Sequence, residues 1–396
     1  MFLKFSFRRN LLHILYLLIW RAVRSFELMI ISKLLDFHDS TFYTLPMFIA
    51  EFLSGLIIYL YQQKELSLKK LGRFSYLANR RKMKRRDSLT KQYFLIILCA
   101  FFDFVEFIYG SEHLSKFINL SGSIEGRLTG MLTINSALFY FLVMKFKVLK
   151  HQKVSLIIMG VTLGIIIITE YIFQKTDIFA TYKDLTLAIF IVLLIHIFTS
   201  MVDVIEKYLF EFNSLNQFKV LMYEGFFGII FTLIYYIHHN PFIYFTDYLH
   251  THSTIKNAFL IIAMIIYTLL CVGRNAYRVH VTKIYSPIVK TLTDYFINPI
   301  YNIVHFIIKD DFLRDGNRNY AYFILNLIFS LIISFFGCVY NEFIIIFFGG
   351  LEKETYEVIC ERALELENES VILKDLEKEE ESADNEDNWI DNNYKD

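Results

Sequence analysis

Lys290, Asp294, Asn298 and Asn302 recur at every fourth position of "IVKTLTDYFINPIYNIVHF" (288–306), a stretch otherwise apolar enough for lipid. Steps of four at 100° per residue carry the four side chains slowly around one side of a helix. A charge near a bilayer centre costs about 2.5–3.5 kcal/mol on insertion scales, so a lysine and an aspartate there need shelter or a ligand. Two chemistries fit. Lys290 and Asp294, one turn apart, can neutralise each other as a structural pair. Alternatively, Lys290 holds an anionic group while the amides of Asn298 and Asn302 orient the remainder, with Asp294 beside them. Pro299 withdraws a backbone donor next to Asn298 and favours a kink.

A second set of residues echoes the first. Arg127 and Asn135 stand 163 positions before Lys290 and Asn298, and "TINSALFY" adds Thr133 and Ser136 as further polar candidates. Glu51 and Gly55 form an E-x-x-x-G pattern that Glu224 and Gly228 repeat, both pairs 173 positions apart. These glutamates are candidates for taking up a coupling proton. The competing, preferred reading is close helix packing at the glycine, with the glutamate hydrogen-bonded across the interface. Asp103, Glu106, His196 and Asp203 are further polar residues inside apolar runs. His238, His239, His250 and His252 are too loosely spaced to read as a metal site, and the four cysteines form no ligand pattern. No nucleophile elbow, phosphate-binding loop or zinc-protease motif occurs, so the expectation is a non-enzyme without cofactor or metal.

The elements carrying these residues are apolar helices. The chain has 396 residues, 55% hydrophobic and 17% aromatic. Stretches of about twenty apolar residues lie near 11–33, 43–61, 92–110, 123–144, 154–173, 185–206, 217–237, 255–274, 285–308 and 320–348, each long enough to cross a bilayer. The expected fold is an all-α integral membrane protein of ten transmembrane helices. "KELSLKKLGRFSYLANRRKMKRRDSLTK" (64–91) holds eleven basic and two acidic residues, and "KFKVLKHQK" (145–153) and "RNAYRVHVTK" (274–283) are also basic. In a ten-helix count these three loops share one side, which the positive-inside rule makes cytosolic together with both termini. The basic loop reads as a topology signal near anionic headgroups, not as a nucleic-acid site.

The two offsets argue for one five-helix unit repeated, residues 1–180 and 181–350. An odd helix number makes the second copy inverted, so helices four and nine become walls of a shared cleft. Arg127 and Lys290 would place one cation there from each half. Residues 351–396 carry 17 acidic and 5 basic side chains and read as an acidic, largely disordered cytosolic tail, open to a cytosolic partner. Asn341 and Glu342 are placed to cap the last span.

"SIEGRLTGMLTINSALFYFLVMKFKVLKHQKVSLIIMGVTLGIIIITEY" (123–171) resembles the end of a repeat unit in the drug/metabolite transporter superfamily, the EamA-like fold. Length, span count and duplication are similar to its eukaryotic solute-carrier-35-like and nucleotide-sugar-transporter-related members. That resemblance implies a multi-pass transporter of the Golgi or endoplasmic reticulum, working by alternating access. The residues add a small anionic metabolite as substrate, with a homodimer as a further expectation. The rival expectation is a non-transporting receptor or scaffold that keeps the fold and presents its tail to partners.

Overall fold

The computed structural model describes residues 3–5, 11–35, 37, 41–69, 87–115, 128–145, 148–173, 182–239, 241–285, 287–308, 317–351, 355 and 358. Among them, all regular structure is helical except two short strands. The helices are α1 Leu11–Leu34, α2 Thr44–Lys69, α3 Leu89–Ser115, α4 Gly130–Met144, α5 Lys150–Phe173, α6 Tyr182–Glu211, α7 Gln217–His239, α8 Phe242–Thr251, α9 Thr254–Ile284, α10 Pro287–Ile308 and α11 Asn317–Tyr340. Strand β1 (Leu3–Phe5) pairs antiparallel with β2 (Ile344–Ile346), in register Leu3 to Ile346 and Phe5 to Ile344. That pairing brings the start of the chain to the segment just after the last helix.

Among the described residues, six helices are long and apolar enough to cross a membrane: α2, α5, α6, α7, α9 and α11. Their outward faces carry Ile57, Ile157, Phe190, Ile237, Ile265 and Leu331, each roughly half exposed or more. A continuous apolar exterior of this extent matches acyl chains and not water. The chain is therefore a multi-pass membrane protein.

Each of the ten apolar windows falls on a helix, and the differences lie at the ends. The fourth window begins at 123, but residues 116–127, and with them Arg127, lie outside the described residues. The largest change is in α9. Its apolar window closes at 274, and "RNAYRVHVTK" reads as a loop, yet the helix continues to Ile284. Its 31 residues span roughly 46 Å, more than a hydrocarbon core of about 30 Å. The extension holds because its polar residues face protein: Asn275, Arg278 and Thr282, at spacings of three and four, are all buried. Lys207 of α6 helps to end the helix. Its buried Nζ donates to the carbonyl oxygens of Lys283 (2.9 Å) and Tyr285 (3.0 Å) and pairs with Glu211 at 2.8 Å. A cation on these last carbonyls also suits the negative end of the helix dipole.

Residues 238–254, between the seventh and eighth apolar windows, contain α8, an amphipathic helix with Phe242, Ile243 and Tyr244 exposed and Tyr248 buried. Ser253 then caps α9 by accepting from the Lys256 amide at 3.4 Å.

Helices α2 and α7 run antiparallel, bonded at both ends of their contact. Asn216 Nδ2 donates to Gln62 Oε1 (2.8 Å) at one end, and the Tyr236 hydroxyl donates to the Thr41 carbonyl (2.8 Å) at the other. Between them the backbones nearly touch. A Cβ on Gly55 would lie 2.4 Å from the Met222 nitrogen, and one on Gly225 2.3 Å from the Phe52 nitrogen. Elsewhere α1 and α2 pack on α9, α3 on α6 and α7, α4 on α6, and α5 on α11; α10 lies against α1, α4 and α11.

A polar bracket closes one end of the bundle. The Asp87 carboxylate accepts from Lys91 Nζ (2.9 Å), the Tyr208 hydroxyl (2.8 Å) and Asn213 Nδ2 (3.1 Å), and the Asp87 amide donates to Asn213 Oδ1 (2.9 Å). It joins the start of α3 to the α6–α7 turn. The Lys91 hydrogen bond, with those from Asn213 and Tyr208, holds the Asp87 carboxyl below its ordinary range despite partial desolvation. A depressed carboxylate adds stability above its unfolded value of about 3.9 and loses it as pH falls through the lower folded value. Lys91 is half exposed, so the whole contribution is about 0.5–1 kcal/mol. Denaturation of detergent-solubilised wild type and Asp87→Asn should thus differ by a constant amount at neutral pH, and the difference should shrink as pH falls below about 3.9 and vanish below the lower folded value. A gap that persists in acid would show that the charge of Asp87 is not what stabilises the bracket.

Candidate functional site: a buried charge cluster between six helices

Five carboxylates and two cations meet inside the bundle. Arg278, on the buried face of the α9 extension, is their hub. Its Nη1 lies 2.9 Å from Glu206 Oε1 on α6, while Nη2 lies 3.5 Å from Glu51 Oε1 on α2 and 3.8 Å from Glu224 Oε2 on α7. All four side chains are almost fully buried. Lys290, near the start of α10, forms a buried ion pair with Asp203 on α6. Asp203 and Glu206, three residues apart on one helix face, link the two cations. Asp103 of α3 is also buried and electrostatically coupled to Arg278. Arg274 and Arg21 border the cluster from α9 and α1.

Many polar atoms here are uncommitted. Glu51 Oε2, Asp103 Oδ2, Asp203 Oδ2 and both oxygens of Glu224 are buried without a hydrogen-bond donor. Bringing a charge out of water costs several kcal/mol unless it is paired and its remaining lone pairs are satisfied. A cluster in this state is poised for change, because a proton, a ligand or a helix movement can each improve its balance.

The sequence candidates are distributed as follows. Glu51 and Glu224 lie in the cluster, both facing Arg278, while Gly55 serves the α2–α7 contact. Lys290 is there too, paired with Asp203 of α6. The Thr133 and Thr291 hydroxyls hydrogen-bond at 2.8 Å, joining α4 to α10 one residue from Lys290. Asn135 and Ser136 are buried beside them on α4, with Asn135 Nδ2 and Ser136 Oγ unbonded. Asp294, Asn298 and Asn302 stand on α10, but their side chains, like Arg127 as a whole, lie outside the described residues.

Outside the cluster, Glu106 accepts from Thr199 at 2.7 Å, and His196 is buried on α6. His239 stacks on Tyr235 (ring centroids 4.2 Å), and His252 stacks on Tyr248 (4.0 Å). Asn341 donates to the Gly337 carbonyl at 2.9 Å, and Glu342 lies 3.4 Å from His151 Nε2. Cys99, Cys271 and Cys338 are free thiols.

Sequence reasoning missed Arg278 and Glu206. Arg278 sat in a basic run that fits a loop, and Glu206 at the margin of an apolar window. The available signals were the 275–278–282 spacing, which puts three polar residues on one helix face, and the Asp203/Glu206 pair on another. Comparison of the chain with protein-family models and with curated proteins finds no match.

Proposed function

We propose that this chain is a secondary transporter or exchanger with ten membrane-spanning helices in two inverted five-helix units. Its cargo is a small anionic organic metabolite, carried across an endomembrane by alternating access. The observation that carries the reading is the pattern of helix contacts. Let α1–α5 correspond in order to α6, α7, α9, α10 and α11. Exchanging the two sets turns the α3–α6 contact into α1–α9, α2–α9 into α3–α7, α4–α6 into α1–α10, and α4–α5 into α10–α11; every one of these contacts is present. The α2–α7, α4–α10 and α5–α11 contacts map onto themselves. The 173-residue offset between Glu51 and Glu224 also pairs Phe52 with Gly225, and these two residues touch. Gly55 meets Met222, and its counterpart Gly228 meets Phe48. Such exchange is expected of a two-fold axis in the membrane plane, the geometry on which rocking transporters are built.

In this reading the Lys290–Asp203 pair is the closed state of the substrate site. An incoming carboxylate or phosphate displaces Asp203 from Lys290, replacing one anion by another so that the lysine is never left unpaired. Asn135, Ser136 and Thr133, with Asn298, Asn302 and Asp294, orient the cargo, and Arg127 supplies the second cation. The basic 64–91 and 145–153 stretches support cytosolic termini by the positive-inside rule, and the β1–β2 pairing, which puts the start of the chain beside the end of α11, suits an even number of crossings.

Proteoliposomes loaded with candidate anionic metabolites test this. Saturable exchange should fall more than tenfold in Lys290→Ala, as expected when a buried charged contact worth about 2–5 kcal/mol is lost. The double variant Lys290→Ala/Asp203→Asn removes the stranded carboxylate and should regain stability without regaining exchange. Normal exchange in the double variant would assign the pair to folding alone.

A further inference from the structure

We infer that Glu206 and Glu224 share a single proton beside Arg278, forming a proton-binding dyad between α6, α7 and α9; its role as the coupling site rests on the transporter reading above. The argument starts from charge. The groups facing the two carboxyls are Arg278 of α9, Glu51 of α2, Asp103 of α3, Lys290 of α10, and Asp203 on the same helix as Glu206. Lys290 is taken by Asp203. Arg278 is left facing three buried carboxyls, Glu206 at 2.9 Å, Glu51 at 3.5 Å and Glu224 at 3.8 Å, with Arg274 bordering the group from α9.

Geometry then selects the pair. Glu206 is the nearest partner of the guanidinium, at 2.9 Å, and Glu224 the farthest, at 3.8 Å. Glu206 from α6 and Glu224 from α7 thus reach the same guanidinium, and both are fully buried. Two ionised carboxylates have no hydrogen to share, and both oxygens of Glu224 are then left without a donor. One proton resolves this: it bonds covalently to a Glu224 oxygen, bridges to Glu206, and leaves a net single negative charge facing Arg278. On release, the O–H bond breaks and its electron pair stays on the oxygen. The proton passes to water, and two anions then compete for one guanidinium. Glu51 ties Arg278 to the other five-helix unit, so that competition reaches the contact between the units.

Infrared spectroscopy of the full-length protein in detergent tests the dyad without any substrate, since a protonated carboxyl has its own C=O stretch. At neutral pH the wild type should show a buried carboxylic-acid band. Glu224→Gln and Glu206→Gln should each abolish it, because either change leaves one carboxylate paired with Arg278. Asp103→Asn should leave the band in place. Thermal unfolding verifies that each variant is folded, and glutamine mimics the protonated acid in shape and hydrogen bonding. Absence of the band in wild type, or its survival in both glutamine variants, would overturn the dyad. The exchange assay above reads transport separately, so failure of the dyad and failure of the transporter reading are distinguishable.

Discussion

Replacing Arg278 by methionine should destabilise the folded protein by about 3–5 kcal/mol, seen as a large drop in the thermal midpoint of the detergent-solubilised chain. Methionine nearly matches arginine in length, so packing is largely kept and the loss reports the charge. What remains is Glu51, Glu206 and Glu224 buried together without the guanidinium that joined all three. The cost comes from those stranded carboxyls more than from lost attraction, because a buried ion pair roughly breaks even while half of one does not. Arg278→Met/Glu206→Gln should therefore be more stable than Arg278→Met alone, with a coupling of about 0.5–3 kcal/mol between the sites. Arg278→Lys should fall between wild type and Arg278→Met, since an ammonium is a point charge that cannot span three helices as a planar fork does. If Arg278→Met unfolds at the wild-type temperature, the cluster is not holding the helices together.

At the α2–α7 contact, Gly225→Ala should destabilise by about 1–3 kcal/mol or more, against the trend that alanine favours helix over glycine by roughly 1 kcal/mol. The new methyl would stand 2.3 Å from the Phe52 nitrogen and 2.9 Å from the Glu51 carbonyl carbon. Both are backbone atoms, so no side chain can swing aside and the two helices must separate. Separation also moves Glu51 relative to Arg278, so the substitution should reduce exchange along with stability. Gly164→Ala on α5 is the matched control. Its Cβ would meet nothing within 4 Å, so only the propensity term remains and the change should be neutral or slightly stabilising. Equal effects at the two glycines would show that α2 and α7 are not in backbone contact.

The two variants bear on different kinds of information. That Gly55 and Glu51 matter together was visible in the E-x-x-x-G pattern, because a small residue and a carboxylate one turn apart in an apolar run each need a reason. Asp103, Asp203 and Lys290 were visible for the same cause: charge in lipid-length apolar sequence is costly enough to stand out. Arg278 was not visible. A basic residue past the end of an apolar window satisfies a loop as well as a helix, and nothing local distinguishes them. Only the carboxylates on α2, α6 and α7 make burial of its guanidinium tolerable. The 238–254 stretch was obscured differently, since α8 is too short to register against the apolar spans around it.

By itself, then, the sequence determined that the chain is helical and membrane-embedded, and that Glu51, Asp103, Asp203, Glu224 and Lys290 carry charge inside apolar runs. Bilayer thickness and backbone hydrogen bonding act on contiguous residues and leave a readable length and period. Only the tertiary structure decided who partners whom: Lys290 with Asp203, Arg278 with Glu51, Glu206 and Glu224, Thr133 with Thr291. Coulombic and hydrogen-bonded pairing depends on distance across helices far apart along the chain. That distance has no period in the sequence from which it can be read.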